Sequence, residues 1–298
     1  MSNSIQIKQG AVGYLSQKVS DYAMLTKFRL SFLVVFSAVI GYLFAGSTTS
    51  LTLIFWLSMG GMLVTGASNA INQIIEKDID KLMKRTQNRP IATGRMSTLE
   101  AILAAGVFGI VGILILTVQF NPIAGVLSAI SLLSYAFVYT PLKRVHPVAV
   151  FVGAIPGALP PMIGYVCATG VIDFTAILLF SIQFIWQFPH FWAIAWVQYE
   201  DYLKAGIMLL PSSTGKTRQS AINNVVYCVV LLLASVMPYF FNMVSLTGTI
   251  FIVAAGVMFL WMAISHYVKV EDKSAKLLMF GSFIYLPVVQ LALVFGKL

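Results

Sequence analysis

The chain has 298 residues, of which 59% are hydrophobic and only 10% charged, with a mean hydropathy of +0.88. No single soluble core absorbs that much apolar side chain, so a soluble globular domain is excluded. The net charge of +9 comes without a separate basic domain or an aromatic-basic module, which excludes nucleic acid as a partner and points to anionic lipid headgroups or an anionic substrate.

The first 26 residues carry no cleavable signal pattern, because Lys8, Lys18 and Asp21 interrupt their apolar residues. They are expected to form a cytoplasmic arm ending in an interfacial helix, with the membrane domain running from 27 to 298. Apolar segments of roughly 20 residues, the length that crosses hydrocarbon, then recur near 28–46, 51–74, 98–118, 122–141, 148–168, 174–197, 220–240, 246–268 and 277–296. The fold class expected is all-α, a polytopic membrane protein of about nine transmembrane helices. Cys167 and Cys228 fall inside spans with no CxxC pair or histidine-rich neighbour, and read as apolar filler rather than a disulfide or metal framework.

Short loops retain Lys and Arg on the cytoplasmic side during insertion. With the N-terminus inside, every Lys and Arg except Lys297 falls on that side, while the outer turns GSTTS, QFNP, ATGVID and FNMVS contain Asp173 and no basic residue. The C-terminus then lies outside, and the absence of a targeting peptide favours a bacterial inner membrane.

Three longer inner connections remain. The first, about 75–97, belongs to the stretch NQIIEKDIDKLMKRTQNRP at 72–90. Read as a continuation of the preceding helix at about 100° per residue, Asn72, Glu76 and Asp80 share an arc of about 80° while Asp78 points away. Hard cations such as Mg²⁺ take oxygen ligands, keep several waters and bridge one or two carboxylates to substrate phosphates, and this face fits that role. Lys81, Lys84, Arg85, Arg89 and Arg95 supply complementary charge for phosphate oxygens. A stop-transfer cluster would account for the basic residues but not for an amide and two acids on one face at a membrane boundary.

The second connection, about 198–219, places Glu200 and Asp201 at the end of the sixth span, with Lys204 one turn later and Gly206 and Pro211 ending the helix. An even number of spans separates the two connections, so both lie on one face and two acidic clusters could hold metal ions around a diphosphate. The third, VKVEDKSAK at 268–276, reads as a solvated loop. His190 lies inside the sixth span, where an imidazole needs a partner or a task. His146 and His266 are expected to be solvated at the inner boundary.

The motifs NQIIEKDIDKLMKRTQNRP, YTPLKRVHP, GAIPGALPPMIGY, QFPHFWAIAW and EDYLKAGIMLLP, together with the nine-span layout, resemble the protoheme IX farnesyltransferases (heme O synthases) among the UbiA-type intramembrane prenyltransferases. The resemblance implies a helical bundle around a central cavity with both acidic motifs at its cytoplasmic mouth. It implies transfer of a farnesyl group from farnesyl diphosphate to a vinyl group of heme B, with Mg²⁺ as cofactor and a heme A synthase or terminal oxidase as the recipient of the product. The superfamily pattern NDxxDxxxD falls on Asn72, Gln73, Glu76 and Asp80, with Gln73 in place of an acid and Glu76 in place of Asp. Phe28 and Met208 stand where the family often has Pro. Metal contacts are assigned to Asn72, Glu76, Asp80, Glu200 and Asp201, and Lys204 joins the catalytic set. Diphosphate contacts are assigned to Arg85, Arg89, Lys143 and Arg144, with hydroxyls from Tyr135 and Tyr139. His190 is assigned to heme, through the iron or a propionate.

Two other UbiA-type acceptors, a quinone precursor or a chlorin, share the diphosphate machinery but not the PHFW sequence. A secondary transporter would carry ion-binding residues near the bilayer midplane, whereas these charges gather at one mouth.

Overall fold

The computed structural model describes residues 2–46, 50–211 and 215–298, with side chains from residue 13 onward. Residues 47–49 of the GSTTS turn and 212–214 of the second inner connection lie outside the described residues. Helix α1 spans Ser2–Leu25, α2 Phe28–Ala45, α3 Leu51–Ile75, α4 Lys77–Asp80 and α5 Thr98–Gln119. Helix α6, Pro122–Leu133, runs through a π-helical segment, Ser134–Tyr139, into α7, Thr140–Leu142. Then follow α8 Ala149–Thr169, α9 Phe174–Val197, α10 Tyr199–Lys204, α11 Arg218–Phe240, α12 Leu246–Lys269 and α13 Asp272–Phe295. Among the described residues nine segments are long and apolar enough to cross a membrane, as the apolar runs predicted.

Polar residues placed just before the spans start them cleanly. The side chains of Ser50, Ser97, Asn121, Asp173, Thr217 and Ser245 each accept a bond from a first-turn amide, satisfying donors that a helix start leaves open. Small residues then set the packing. On α5 the face carrying Ala101, Ala105, Gly109 and Gly112 is buried, and a Cβ on Gly112 would meet Val64 of α3. Leu99, Ile102, Leu103 and Ile110 on the same helix are exposed and face outward as lipid-facing side chains do. This is membrane packing, in which small residues let backbones approach.

Helix α8 is the most enclosed span, 78% buried over its apolar window. It packs against α2 so closely that a Cβ on Gly164 would overlap the carbonyl of Ala38. Pro160 and Pro161 within it remove two i→i−4 donors, and the freed carbonyls are met from neighbouring helices. Ser131 Oγ donates to Pro156 O at 3.2 Å and Gln183 Nε2 to Gly157 O at 2.8 Å. Gln183 is itself bonded by Gln290, which also reaches Ser37. These polar side chains inside the bundle bond the two carbonyls that Pro160 and Pro161 leave open, where no water substitutes. Beside α8, an apolar cleft lined by Val35, Ala38, Leu57, Val64, Leu116 and Ile163 encloses about 40 Å³, room for a few water molecules.

Two expectations are corrected. The segment 268–276 is not a solvated loop: only Val270 and Glu271 link α12 to α13, with Val270 left-handed at φ 52. The charged residues of the segment are exposed as expected, but on helix ends rather than a loop, and Asp272 accepts from Trp196 Nε1 at 2.9 Å and from Lys216 Nζ at 2.8 Å. His266 is likewise not solvated. It is fully buried, with Nδ1 at 3.1 Å from Ser274 Oγ and its ring edge-on to Trp196. His146 is exposed, as expected.

Candidate active site

Helix α3 stops at Ile75 and Glu76 caps it at φ −98, ψ 6, before the single turn of α4. The interruption keeps the helical register: Glu76 N donates to Asn72 O at 3.0 Å and Asp80 N to Glu76 O at 2.9 Å. Asn72, Glu76 and Asp80 therefore do share one face, and all three are buried, whereas Asp78 is exposed and pairs with Lys81 at 3.2 Å.

Each member of that face meets a cation. Glu76 forms an ion pair with Lys143, which follows α7. Asp80 receives Arg89 Nη1 at 2.7 Å on both oxygens. Asn72 Oδ1 accepts from Lys27 Nζ at 3.2 Å, and Asn72 Nδ2 donates to Thr140 Oγ1 at 3.2 Å. Burial holds the Lys27 ammonium well below the usual lysine range, with Arg89 and Lys143 pushing the same way and Glu76 opposing. Burial also lowers Lys143, against the pull of Glu76. Burial raises the Asp80 carboxyl, and Arg89 only partly offsets it.

The second connection reaches this face. The backbone amide of Arg85 donates to Asp201 Oδ2 at 3.4 Å, and the amide of Met208 donates to the carbonyl of Lys143 at 3.3 Å. A proline at 208 could not make that last bond. Asp201, only 14% exposed at its side chain, has Lys204 Nζ at 3.6 Å. Tyr135 and Tyr139 lie with ring centroids 5.3 Å apart and planes tilted by 35°, and Lys143 lies over the Tyr139 ring at 5.7 Å. Both tyrosines come from the π-helical segment, whose widened turn ends where Thr140 Oγ1 donates to Tyr135 O. Such single-turn π segments often sit at functional sites.

The structure thus gathers Asn72, Glu76, Asp80, Arg85, Arg89, Tyr135, Tyr139, Lys143, Asp201 and Lys204. It leaves Glu200 and Arg144 exposed, with no side-chain bond among the described residues. His190 stands elsewhere, on α9 facing α13, half-buried, with Nδ1 at 2.7 Å from Ser282 Oγ and its ring stacked on Trp186 at 4.5 Å.

Gln73 points away from the site: its Nε2 donates to Met24 O and Leu25 O at 2.9 and 2.8 Å, a role that no carboxylate could fill. Lys27 and Thr140 are site residues that the motif reading missed. For Lys27 the available signal was a cation immediately preceding the first span.

Among the described residues no three His, Cys, Asp or Glu side chains converge on one point. The buried donors are all oxygens, and two carboxylates with an amide on one face match the sparse protein coordination of a Mg²⁺ that brings its own waters and phosphates. In that sense the residues fit the ion.

The UbiA prenyltransferase family matches residues 34–286. The protoheme IX farnesyltransferase of Cytophaga hutchinsonii is 46% identical over 286 residues, covering 95% of this chain and 100% of that protein. That of Flavobacterium johnsoniae is 43% identical over 288 residues, covering 93% and 94%. In fold, the chain is similar to digeranylgeranylglyceryl phosphate synthase at a TM-score of 0.78, with 19% identity and coverage of 94% and 98%. A UbiA homologue from Archaeoglobus fulgidus, solved with GPP and Mg²⁺, gives 0.69 with 15% identity and coverage of 92% and 99%. With a family match across most of the spans and relatives this similar along their whole length, the chain belongs to the UbiA prenyltransferase family.

Proposed function

We propose that the chain transfers the farnesyl group of farnesyl diphosphate to a vinyl group of heme B, giving heme O and diphosphate. The observation that carries the chemistry is the meeting of two acidic connections at one end of an apolar bundle, with Lys143, Arg85 and Arg89 set among the acids. The acceptor follows from the protoheme IX farnesyltransferases to which the chain is similar. The distribution of Lys and Arg supports a bacterial inner membrane with the N-terminus and both motifs cytoplasmic and the C-terminus outside. Residues 27–298 form the prenyltransferase unit in this reading, and a heme A synthase or terminal oxidase consumes the product.

Asn72, Glu76 and Asp80, with Asp201 opposite, would hold Mg²⁺, which when bound neutralises charge on the leaving diphosphate. Arg85 and Arg89 offer planar forks to its oxygens, Lys143 and Lys204 offer point charges, and Tyr135 and Tyr139 offer hydroxyl donors. Donors fixed before the reaction stabilise the negative charge that grows as the allylic carbon–oxygen bond breaks. The farnesyl carbon then bonds to the terminal vinyl carbon of heme, and water adds to the adjacent carbon with loss of a proton. The surrounding apolar side chains keep stray water from the farnesyl cation first.

The test is turnover of purified protein with heme B, farnesyl diphosphate and Mg²⁺, read by mass. A hydroxyethylfarnesyl product with equimolar diphosphate is expected. Prenylation of a quinone precursor or chlorin in its place would overturn the acceptor assignment.

A further inference from the structure

Lys27 joins α1 to α2 in a left-handed conformation, φ 46 and ψ 56. Outside glycine such backbone persists only where its surroundings impose it, and an outlier of this kind is a pointer to function. The surroundings here are two buried amides of α3. Gln73 Nε2 donates to Met24 O and Leu25 O, and Asn69 Nδ2 donates to Thr26 O at 3.3 Å and Ser31 Oγ at 3.4 Å. They satisfy carbonyls that the end of α1 leaves open and lock the corner. The locked corner turns the Lys27 side chain inward, where Nζ meets Asn72 Oδ1.

Among the described residues Lys27 has no carboxylate within ion-pair distance, whereas Lys143 and Arg89 each hold one. A neutral amide is a poor counter-ion for a half-buried lysine. Three basic side chains therefore converge on two carboxylates, an arrangement suited to a polyanion entering the mouth.

We infer that Lys27 is a further diphosphate-binding residue, positioned by the Asn69 and Gln73 corner and steadied by Asn72. The inference rests on the prenyl-transfer reading above. A residue that merely anchored α1 would affect stability and every kinetic constant together, whereas a diphosphate contact acts on one substrate.

The experiment compares Lys27→Met and Lys27→Arg with the unaltered protein in melting temperature, KM for farnesyl diphosphate, KM for heme B and inhibition by inorganic diphosphate. Lys27→Met should raise the first KM and weaken inhibition by about ten- to a hundredfold, the range of one charge-assisted hydrogen bond, with the heme KM unmoved. Lys27→Arg should recover most of the loss. A folded Lys27→Met with unchanged diphosphate inhibition overturns the inference and leaves the reaction intact. If Lys27→Met does not fold, acylation of Lys27 in the unaltered protein decides. Protection by inorganic diphosphate with Mg²⁺ supports the contact, and equal labelling overturns it. If the unaltered protein shows no diphosphate inhibition at all, the prenyl-transfer reading falls, and this inference with it.

Discussion

Arg89 Nη1 stands 2.7 Å from both carboxylate oxygens of Asp80, with the two side chains 10% and 1% exposed. Removing one member of such a pair strands the other, at a typical cost of about 3–5 kcal/mol. Asp80→Ala would therefore confuse folding with chemistry, and Asp80→Asn is the cleaner variant. Asp80→Asn is expected to remain folded in the membrane and to lose at least about a hundredfold in turnover, the scale of a lost electrostatic group. Glu76→Gln should lose less, since a neighbouring oxygen set remains. Full activity of both at saturating Mg²⁺ would sink the metal-site assignment.

Arg85 and Arg89 test the diphosphate assignment. Lysine keeps the charge but not the planar fork, so Arg85→Lys and Arg89→Lys should raise the farnesyl diphosphate requirement while heme binding stays level. Arg85 should show the purer effect, because among the described residues Arg89 is paired with the buried Asp80 whereas Arg85 is paired with no acid. An unchanged response to farnesyl diphosphate would assign both residues to topology alone.

Much of this arrangement was legible because membrane insertion writes itself into sequence. Apolar runs of span length are hard to disguise, and capping residues such as Ser50, Ser97 and Asp173 mark where they begin. The i, i+4 spacing of Asn72, Glu76 and Asp80 also survived the break at Glu76, since the hydrogen-bond register runs through it. The start of α13 did not read correctly. Lys273, Ser274 and Lys276 carry no apolar period, and Asp272 and Ser274 are fixed by partners on α9, α12 and the second connection. Lys27 was hidden for a similar reason: its place depends on amides more than 40 residues away. The π-helical segment around Tyr135 has no pattern of its own.

Gln73 departs from the acid of the superfamily pattern, and its two bonds to the end of α1 explain the departure. Gln73→Asp should not add metal affinity. It should instead leave the buried Leu25 carbonyl facing a carboxylate, at about 1–3 kcal/mol for the orphaned acceptor, while Met24 O keeps its bond from the Lys27 amide. The expected readout is faster proteolysis between α1 and α2 together with a lower melting temperature. A variant with tighter Mg²⁺ dependence and an intact arm would overturn this account.

His190 carries the last prediction, through its tautomer. The hydroxyl of Ser282 donates to Met279 O at 2.6 Å, so its single proton is committed and its oxygen is left to accept from His190 Nδ1 at 2.7 Å. That places the imidazole proton on Nδ1 and a lone pair on Nε2, which has no hydrogen-bond partner among the described residues. A histidine oriented in this way is prepared to ligate a metal, and the iron of heme B is the metal the proposed acceptor brings. His190→Ala is expected to weaken heme binding and alter its absorption spectrum. Ser282→Ala, which releases the tautomer, should cost about 10–100-fold in heme affinity, as lost outer partners of metal ligands do, while leaving the farnesyl diphosphate requirement unchanged. Unaltered heme spectrum and affinity in His190→Ala, with only a lower melting temperature, would make the residue a packing element of the α9–α13 contact and move the acceptor site elsewhere.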